Sequence, residues 1–240
     1  MTTASSTTKA GATAVRTAGR VLIMAEMHGR DLMRRHIALA LLVALPASFY
    51  LTSGGSSRDA VSTGGVSMAF AVGGATLFSA LSAIDVDQRL VMVGYRPLEL
   101  LLGRLLFLGP LGVVIAGLFT AMMVGISHPH DGSMVFLGVT MVALQAVPFG
   151  LAVAAAVPRE LEGTLVLIGV VGIQLAVRAN AVVAKTLPFY GPRRLIEAGV
   201  TGHGEVWGPL VQTALYGLAL LVVARMFIGP RLAVRRVTRG

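Results

Sequence analysis

Apolar residues gather in six long runs, at 37–53, 66–84, 101–126, 134–157, 163–185 and 206–228, with charged residues mostly between them. Each run is near the roughly 17–25 residues that a helix needs to cross a bilayer. Lipid offers no partner to a backbone N–H or C=O, so such runs have to be helices that satisfy their own polar groups. The pattern predicts an all-α membrane protein with six transmembrane helices over residues 37–228. Prolines 46, 110 and 148 fall inside runs and predict kinks or local unwinding. In the second run Ala71, Ala75, Ser79 and Ala83 repeat at every fourth position, a stripe that would let helices approach closely.

The polar segments fill in the plan. Residues 1–14 are rich in Thr, Ser and Ala without an apolar period, and read as a disordered tail. Over residues 15–36, Val21, Leu22, Ala25, Leu32 and Met33 share one arc of a helical wheel, while Arg30, Asp31, Arg34 and Arg35 lie opposite. That is the pattern of a helix lying in the membrane interface, with its basic side toward headgroups. Between the second and third runs, residues 86–93 suit a short helix stopped by Gly94, and Pro97 and Glu99 suit the first turn of the next one. The third helix is therefore expected to begin near Pro97 and to extend past the membrane. Residues 186–205, with two prolines and four glycines, predict a structured turn region, and residues 229–240 a basic tail.

Composition agrees with a membrane bundle. The chain is 55% hydrophobic and 13% charged, against roughly 45–50% and 25% in soluble domains. A net charge of +9 raises the question of nucleic acid, but the basic residues flank apolar runs instead of forming one stripe. No nucleic-acid partner is expected, and attraction to anionic lipid headgroups accompanies the topology signal. Lys9, Arg16, Arg20, Arg30, Arg34 and Arg35 precede the first run, Arg89, Arg96 and Arg104 surround the second connection, and Arg231, Arg235, Arg236 and Arg239 follow the last. The excess predicts a multi-pass protein of the plasma (inner) membrane with both termini cytoplasmic, against which only the Arg193–Arg194 pair counts. No cleaved signal peptide is expected, since the first run follows a charged stretch.

The chain has no cysteine, which excludes disulfides, thiolate catalysis and cysteine-ligated metals. It contains no G-x-x-x-x-G-K-[ST] phosphate loop, no H-E-x-x-H and no G-x-S-x-G string, and the runs carry neither a histidine nor a carboxylate pair. Such a chain is expected to be non-catalytic, with no cofactor or metal bound directly. His128-Pro129-His130-Asp131 has a metal-like composition, but nothing else converges on it, and an exposed turn is expected. Arg178, with Gln174 one turn before and Asn180 just after, is the sharpest polar feature. A charge at mid-bilayer depth costs a few kcal/mol unless it meets a cavity or partner. Arg178 therefore either lines a pathway or snorkels from a helix that ends earlier. Gln145 is a weaker lining candidate, since a lone glutamine often bonds a neighbouring helix. Arg225 reads as a snorkelling anchor.

The run Val93-Gly94-Tyr95-Arg96-Pro97-Leu98-Glu99-Leu100-Leu101-Leu102-Gly103-Arg104, preceded by an acidic–basic cluster, resembles the permease subunits of type-2 ATP-binding-cassette exporters. In that family a G-x-x-P-x-E-L-L-L-G-K/R run opens the third helix, after a short helix that touches the ATPase subunit. Pro158-Arg159-Glu160-Leu161-Glu162-Gly163 is similar to the family's inner turn before its fifth helix. Many members carry a glutamate-rich stretch with a glycine where Asp85, Asp87 and Gln88 stand here. The resemblance implies an interfacial helix before the first span, a half-crossing helix with a re-entrant turn at the fifth, and a dimer made with a second permease copy. It further implies a cytoplasmic ATPase subunit, holding ATP and Mg, docked on Asp87, Gln88, Arg89, Leu90, Met92, Tyr95, Arg96, Glu99, Arg159 and Glu160. Gln145, Gln174, Arg178 and Asn180 would lie on a pathway for an amphipathic, lipid-like or drug-like substrate. An intramembrane enzyme, or an anchor or assembly protein that transports nothing, are the competing classes.

Overall fold

The computed structural model describes residues 19, 21–24, 26, 36–55, 57–157, 159–177 and 181–232. The 1–14 tail, most of the 15–36 helix and the tail beyond 232 lie outside them. In chain order the helices are α1 (His36–Thr52), α2 (Arg58–Ser82), α3 (Ile84–Met92), α4 (Pro97–Ser127), α5 (Gly132–Ala156), α6 (Glu160–Ala176), a 3₁₀ turn (Val182–Thr186), α7 (Tyr190–Thr201) and α8 (Trp207–Leu232). No strand occurs among the described residues.

Four helices are long and apolar enough to cross a membrane, namely α2, α4, α5 and α8. At a rise of about 1.5 Å per residue, the 25-residue α2 and α5 reach about 37 Å, beyond the roughly 30 Å hydrocarbon layer. By the same arithmetic α1 and α6, each 17 residues, reach about 25 Å. Among the described residues, four of the six expected spans are long and apolar enough to cross a membrane. The fifth run is not one helix over 163–185, because α6 stops at Ala176 and a 3₁₀ turn follows.

The starts of the helices follow from caps more than from apolar content. α2 begins eight residues before its apolar run, where Ser57 Oγ accepts from Ala60 N at 3.0 Å. Ser62, Thr63, Gly64 and Gly65 lower the hydropathy of its first turns, but small residues there are what let neighbours close in. α4 begins at Pro97, as expected, where a missing N–H costs nothing. Glu99 accepts from Arg96 N at 2.9 Å, the reciprocal half of a capping box. Helix assignment continues unbroken through Pro46, Pro110 and Pro148, so the expected local unwinding is absent.

α2 and α5 run side by side in the same direction at the centre. A Cβ at Gly65 would come within 3.2 Å of Val139, and one at Gly150 within 2.5 Å of Gly73 O. That backbone contact, not the Ala71–Ala75–Ser79–Ala83 stripe, marks the closest approach of the two helices. A single apolar core runs through Val66, Leu77, Ile115, Phe119, Val139, Val142, Val171 and Ile196. Around it, α4 returns antiparallel, with Phe119 beside Gly64 and Gly112 beside Ala143. α6 rises along α2 from Gly163 beside Leu77 to Leu167 beside Gly73.

The connection expected as a turn region is a packed element. Pro188 O accepts from Gln145 Nε2 partway along α5, and Phe189 meets Phe149 edge to face at 5.6 Å between centroids. From there α7 runs back along α5 until Gly199 O accepts from Asp131 N, at the very start of α5. Cβ atoms at Gly138 and Gly199 would strike Ile196 N and Val135 N at 2.7 and 2.6 Å, so glycine is what lets α7 lie against α5. The 3₁₀ turn and α7 together form a re-entrant segment, held on its other side by Gln212 Nε2 and Tyr216 Oη donating to Lys185 O and Thr186 O. Hydropathy could not show it, because α7 is amphipathic, with Leu195 and Ile196 buried and Arg194 exposed.

Candidate functional site

Connectivity sets α3 at one end of the bundle, where α2 and α5 finish and α4 and α6 begin. α3 starts at Ile84, two residues before the expected start, and ends at Met92; Gly94 then takes φ +99, a conformation glycine adopts without strain. This nine-residue helix is fastened in two ways.

The first fastening is an ion pair. Asp87 Oδ2 accepts from Arg104 Nη2 at 2.7 Å, with side chains 4% and 1% exposed. Arg104 lies one turn beyond Leu100 and one before Leu108 on the buried face of α4. Its guanidinium therefore reaches inward with no route to water. Burying both charges is repaid only by close, hydrogen-bonded geometry. The second fastening is apolar. Met24, from the segment before α1, and Leu232, from the end of α8, are buried with Leu100, and Leu90, Val91 and Tyr95 pack against them. Three separate parts of the chain thus hold one short helix.

This arrangement sorts the residues expected at an ATPase contact. Arg89, Met92 and Arg96 are exposed, and so are Val86, Val93 and Leu98. Met92 is 64% and Val93 77% exposed, an apolar tip flanked by two arginines. Gln88, Leu90 and Tyr95 are half-buried. Asp87 and Glu99 are buried, Asp87 paired with Arg104 and Glu99 accepting from the Arg96 amide. Arg159 and Glu160 stand exposed at the same end, where Arg159 also pairs with Glu162 at 2.9 Å. In the helix before α1, Met24 is buried, and Leu22 and Ile23 are exposed.

The expected pathway residues are scattered. Arg178 and Asn180 lie outside the described residues. Gln145 is buried and donates to Pro188 O, the interhelical role often taken by a lone glutamine. Gln174 is fully buried, with neither amide atom partnered among the described residues. Gln145 and Gln174 thus sit inside the bundle and not on an open channel wall.

Sequence reasoning missed the residue that closes the break after α6. Arg193 Nη1 donates to Gln174 O at 2.9 Å and to Val177 O at 2.7 Å, carbonyls that a longer helix would have satisfied. Glu197 accepts from Arg193 Nε at 3.2 Å and from Arg194 Nη1 at 3.0 Å. The Arg193–Arg194 pair that counted against the charge-bias orientation therefore has a structural cause. At the same end, Asp131 caps α5 by accepting from Ser133 N and Met134 N, and its pKa is held below the usual aspartate value, chiefly by the Ser133 hydroxyl. His130 packs on Gly202, and among the described residues no cluster of His, Asp and Glu could hold a metal.

The chain matches no known protein-family model and no curated protein. Its function has to be argued from these residues.

Proposed function

We propose that this chain is the transmembrane subunit of an ATP-driven exporter of the type-2 ATP-binding-cassette kind. The observation that carries the reading is α3: a short helix anchored by a buried ion pair and an apolar cluster, yet presenting Arg89, Met92, Val93 and Arg96 outward. A subunit without a phosphate loop has to take mechanical work from another protein. Work is passed only through a contact that is stiff toward the membrane and sticky toward the partner. The arginines would set docking register, and the apolar tip would fill a groove on a cytoplasmic ATPase subunit that holds ATP and Mg. The short α6 with the segment that turns back after it, and the Gly94-to-Arg104 run, are what the resemblance leads one to expect.

In this reading the chain is itself non-catalytic and sits in the plasma membrane with the α3 end and both termini cytoplasmic. Two copies, or one with a related subunit, enclose a path for an amphipathic or lipid-like substrate. One bundle of this size is too small to surround such a path alone.

The test is purification of the tagged full chain in mild detergent, with identification of what accompanies it. A stoichiometric phosphate-loop ATPase is expected, and replacing both Arg89 and Arg96 by Glu is expected to remove it while the melting temperature stays unchanged. A chain that emerges alone even after crosslinking in membranes would sink the reading and leave a membrane anchor or enzyme.

A further inference from the structure

The end of the bundle opposite α3 holds a cavity of about 450 Å³ between the start of α2, the end of α6, α7 and the loop before α8. That volume suits a small organic group and exceeds what a lone ion or a few waters would fill. Its charges are unusual in being balanced but only partly paired. Arg193, Arg194 and Glu197 are joined in one network carrying a net positive charge. Arg58, Asp59 and Glu205 also line the cavity, and none of them has a hydrogen-bond or ion-pair partner among the described residues. One turn deeper than Arg58, Ser62 is 8% exposed and lines the same space with a hydroxyl that has no partner among the described residues. A buried hydroxyl left without a partner is costly, and an occupant that bonds it removes the cost.

The lining excludes simple occupants. A bare cation would meet the arginines, a bare anion would meet Asp59 and Glu205, and an apolar molecule would strand all of them. What fits is a group bearing an anion and an ammonium a few ångströms apart. Depth points the same way. Trp207 opens α8 two residues after Glu205 and is 77% exposed, and a tryptophan in such a position marks the headgroup level of a bilayer.

We propose that this cavity binds the zwitterionic headgroup of a phospholipid of the phosphoethanolamine kind. Arg58 and Arg194 take the phosphate, for which guanidinium has matching geometry. Asp59 and Glu205 take the ammonium, and the Ser62 hydroxyl donates to a phosphate oxygen. The site does not depend on the chain's being an exporter, and a chain that merely anchors other proteins would still carry it.

Trp207 is the chain's single tryptophan and follows the lining residue Glu205 by two positions, so its fluorescence is the readout of occupancy. The full chain in dodecylmaltoside is titrated with a short-chain phosphatidylethanolamine, with a phosphatidylglycerol of the same chains, and with free phosphoethanolamine. The expected result is a saturable change with phosphatidylethanolamine at a concentration about tenfold lower than with phosphatidylglycerol. Arg58→Gln should weaken phosphatidylethanolamine binding about tenfold, the loss of one charge-assisted contact. Glu205→Gln should narrow the preference between the two lipids, because the glycerol headgroup never used that carboxylate. Both residues are exposed, and unchanged melting curves show that the variants fold. Free phosphoethanolamine acting at the same concentration as the lipid supports the chemistry and assigns it a soluble source. Phosphatidylglycerol binding as well or better, no saturable change with either lipid, or indifference to both substitutions would overturn the proposal.

Discussion

The two ends of this bundle place their charges in opposite ways. At the α3 end, Asp87 and Arg104 pair at 2.7 Å and are closed from water. At the opposite end, Arg193 is shared among a carboxylate and two carbonyls, while Arg58, Asp59 and Glu205 line a cavity without partners among the described residues. The first arrangement makes a stiff joint. The second spends its charges on holding a broken helix and leaves a polar chamber beside it. A protein that received force at one end and met polar groups at the other would be built in this order.

The largest effect tests the stiffness of the α3 end. Asp87→Ala leaves the Arg104 guanidinium buried and uncompensated, which is expected to cost about 3–5 kcal/mol. Adding Arg104→Met should return part of that loss, because neither member of the pair is then left charged. Thermal unfolding of the three variants in detergent measures it. If Asp87→Ala alone melts like the wild type, the pair does not fasten α3, and the contrast between the two ends collapses.

A smaller effect probes the opposite end. Arg193→Met removes the donor to Gln174 O and Val177 O and leaves Glu197 with Arg194 alone. Part of the lost bonding is regained from water, so the expected cost is about 2 kcal/mol, the worth of a hydrogen bond to a charged group. The loss should be local: amide exchange should quicken in α7 and in the last turn of α6, while α3 and the start of α4 keep their protection. Equal quickening at both ends would mean that the two regions are not separate units.

Much of this layout was legible because it is written in short-range signals. Pro97 and Glu99 announce where α4 begins, and Gly94 announces where α3 must stop, since caps and turns are chosen by neighbouring residues. Long-range pairings were not legible. Asp87 and Arg104 are 17 residues apart in sequence, and both were read as surface charges. One signal was present, for Arg104 follows Leu100 and precedes Leu108 at four-residue spacing on the inward face. The break in the fifth run was offered by the position of Arg178 and by the family resemblance, but not by hydropathy. Hydropathy averages over residues 163–185 and cannot see that α6 stops at Ala176, because Arg193, which caps the break, lies beyond the run. Asp59 and Glu205 gave no hint of a shared cavity, being brought together only when α7 folds back along α5.

The smallest effect separates the ends by pH. Asp131 caps α5 beside the re-entrant segment, accepting from Ser133 N at 2.9 Å, Ser133 Oγ at 2.6 Å and Met134 N at 3.1 Å. These bonds favour the carboxylate, so the folded pKa lies below the unfolded one, led by the Ser133 hydroxyl. A lowered folded pKa contributes stability that is fully present above the ordinary aspartate value and is lost as pH falls through the folded value. Wild type should therefore exceed Asp131→Asn in melting temperature near neutrality, since an asparagine cap lacks the charge at the positive end of the helix dipole. The gap should close on acidification from about pH 5 to about pH 3. Protonation frees the start of α5, and with it the Asp131 N–H to Gly199 O bond that holds the end of α7. A gap that stays constant across that range would mean that the cap works by shape alone.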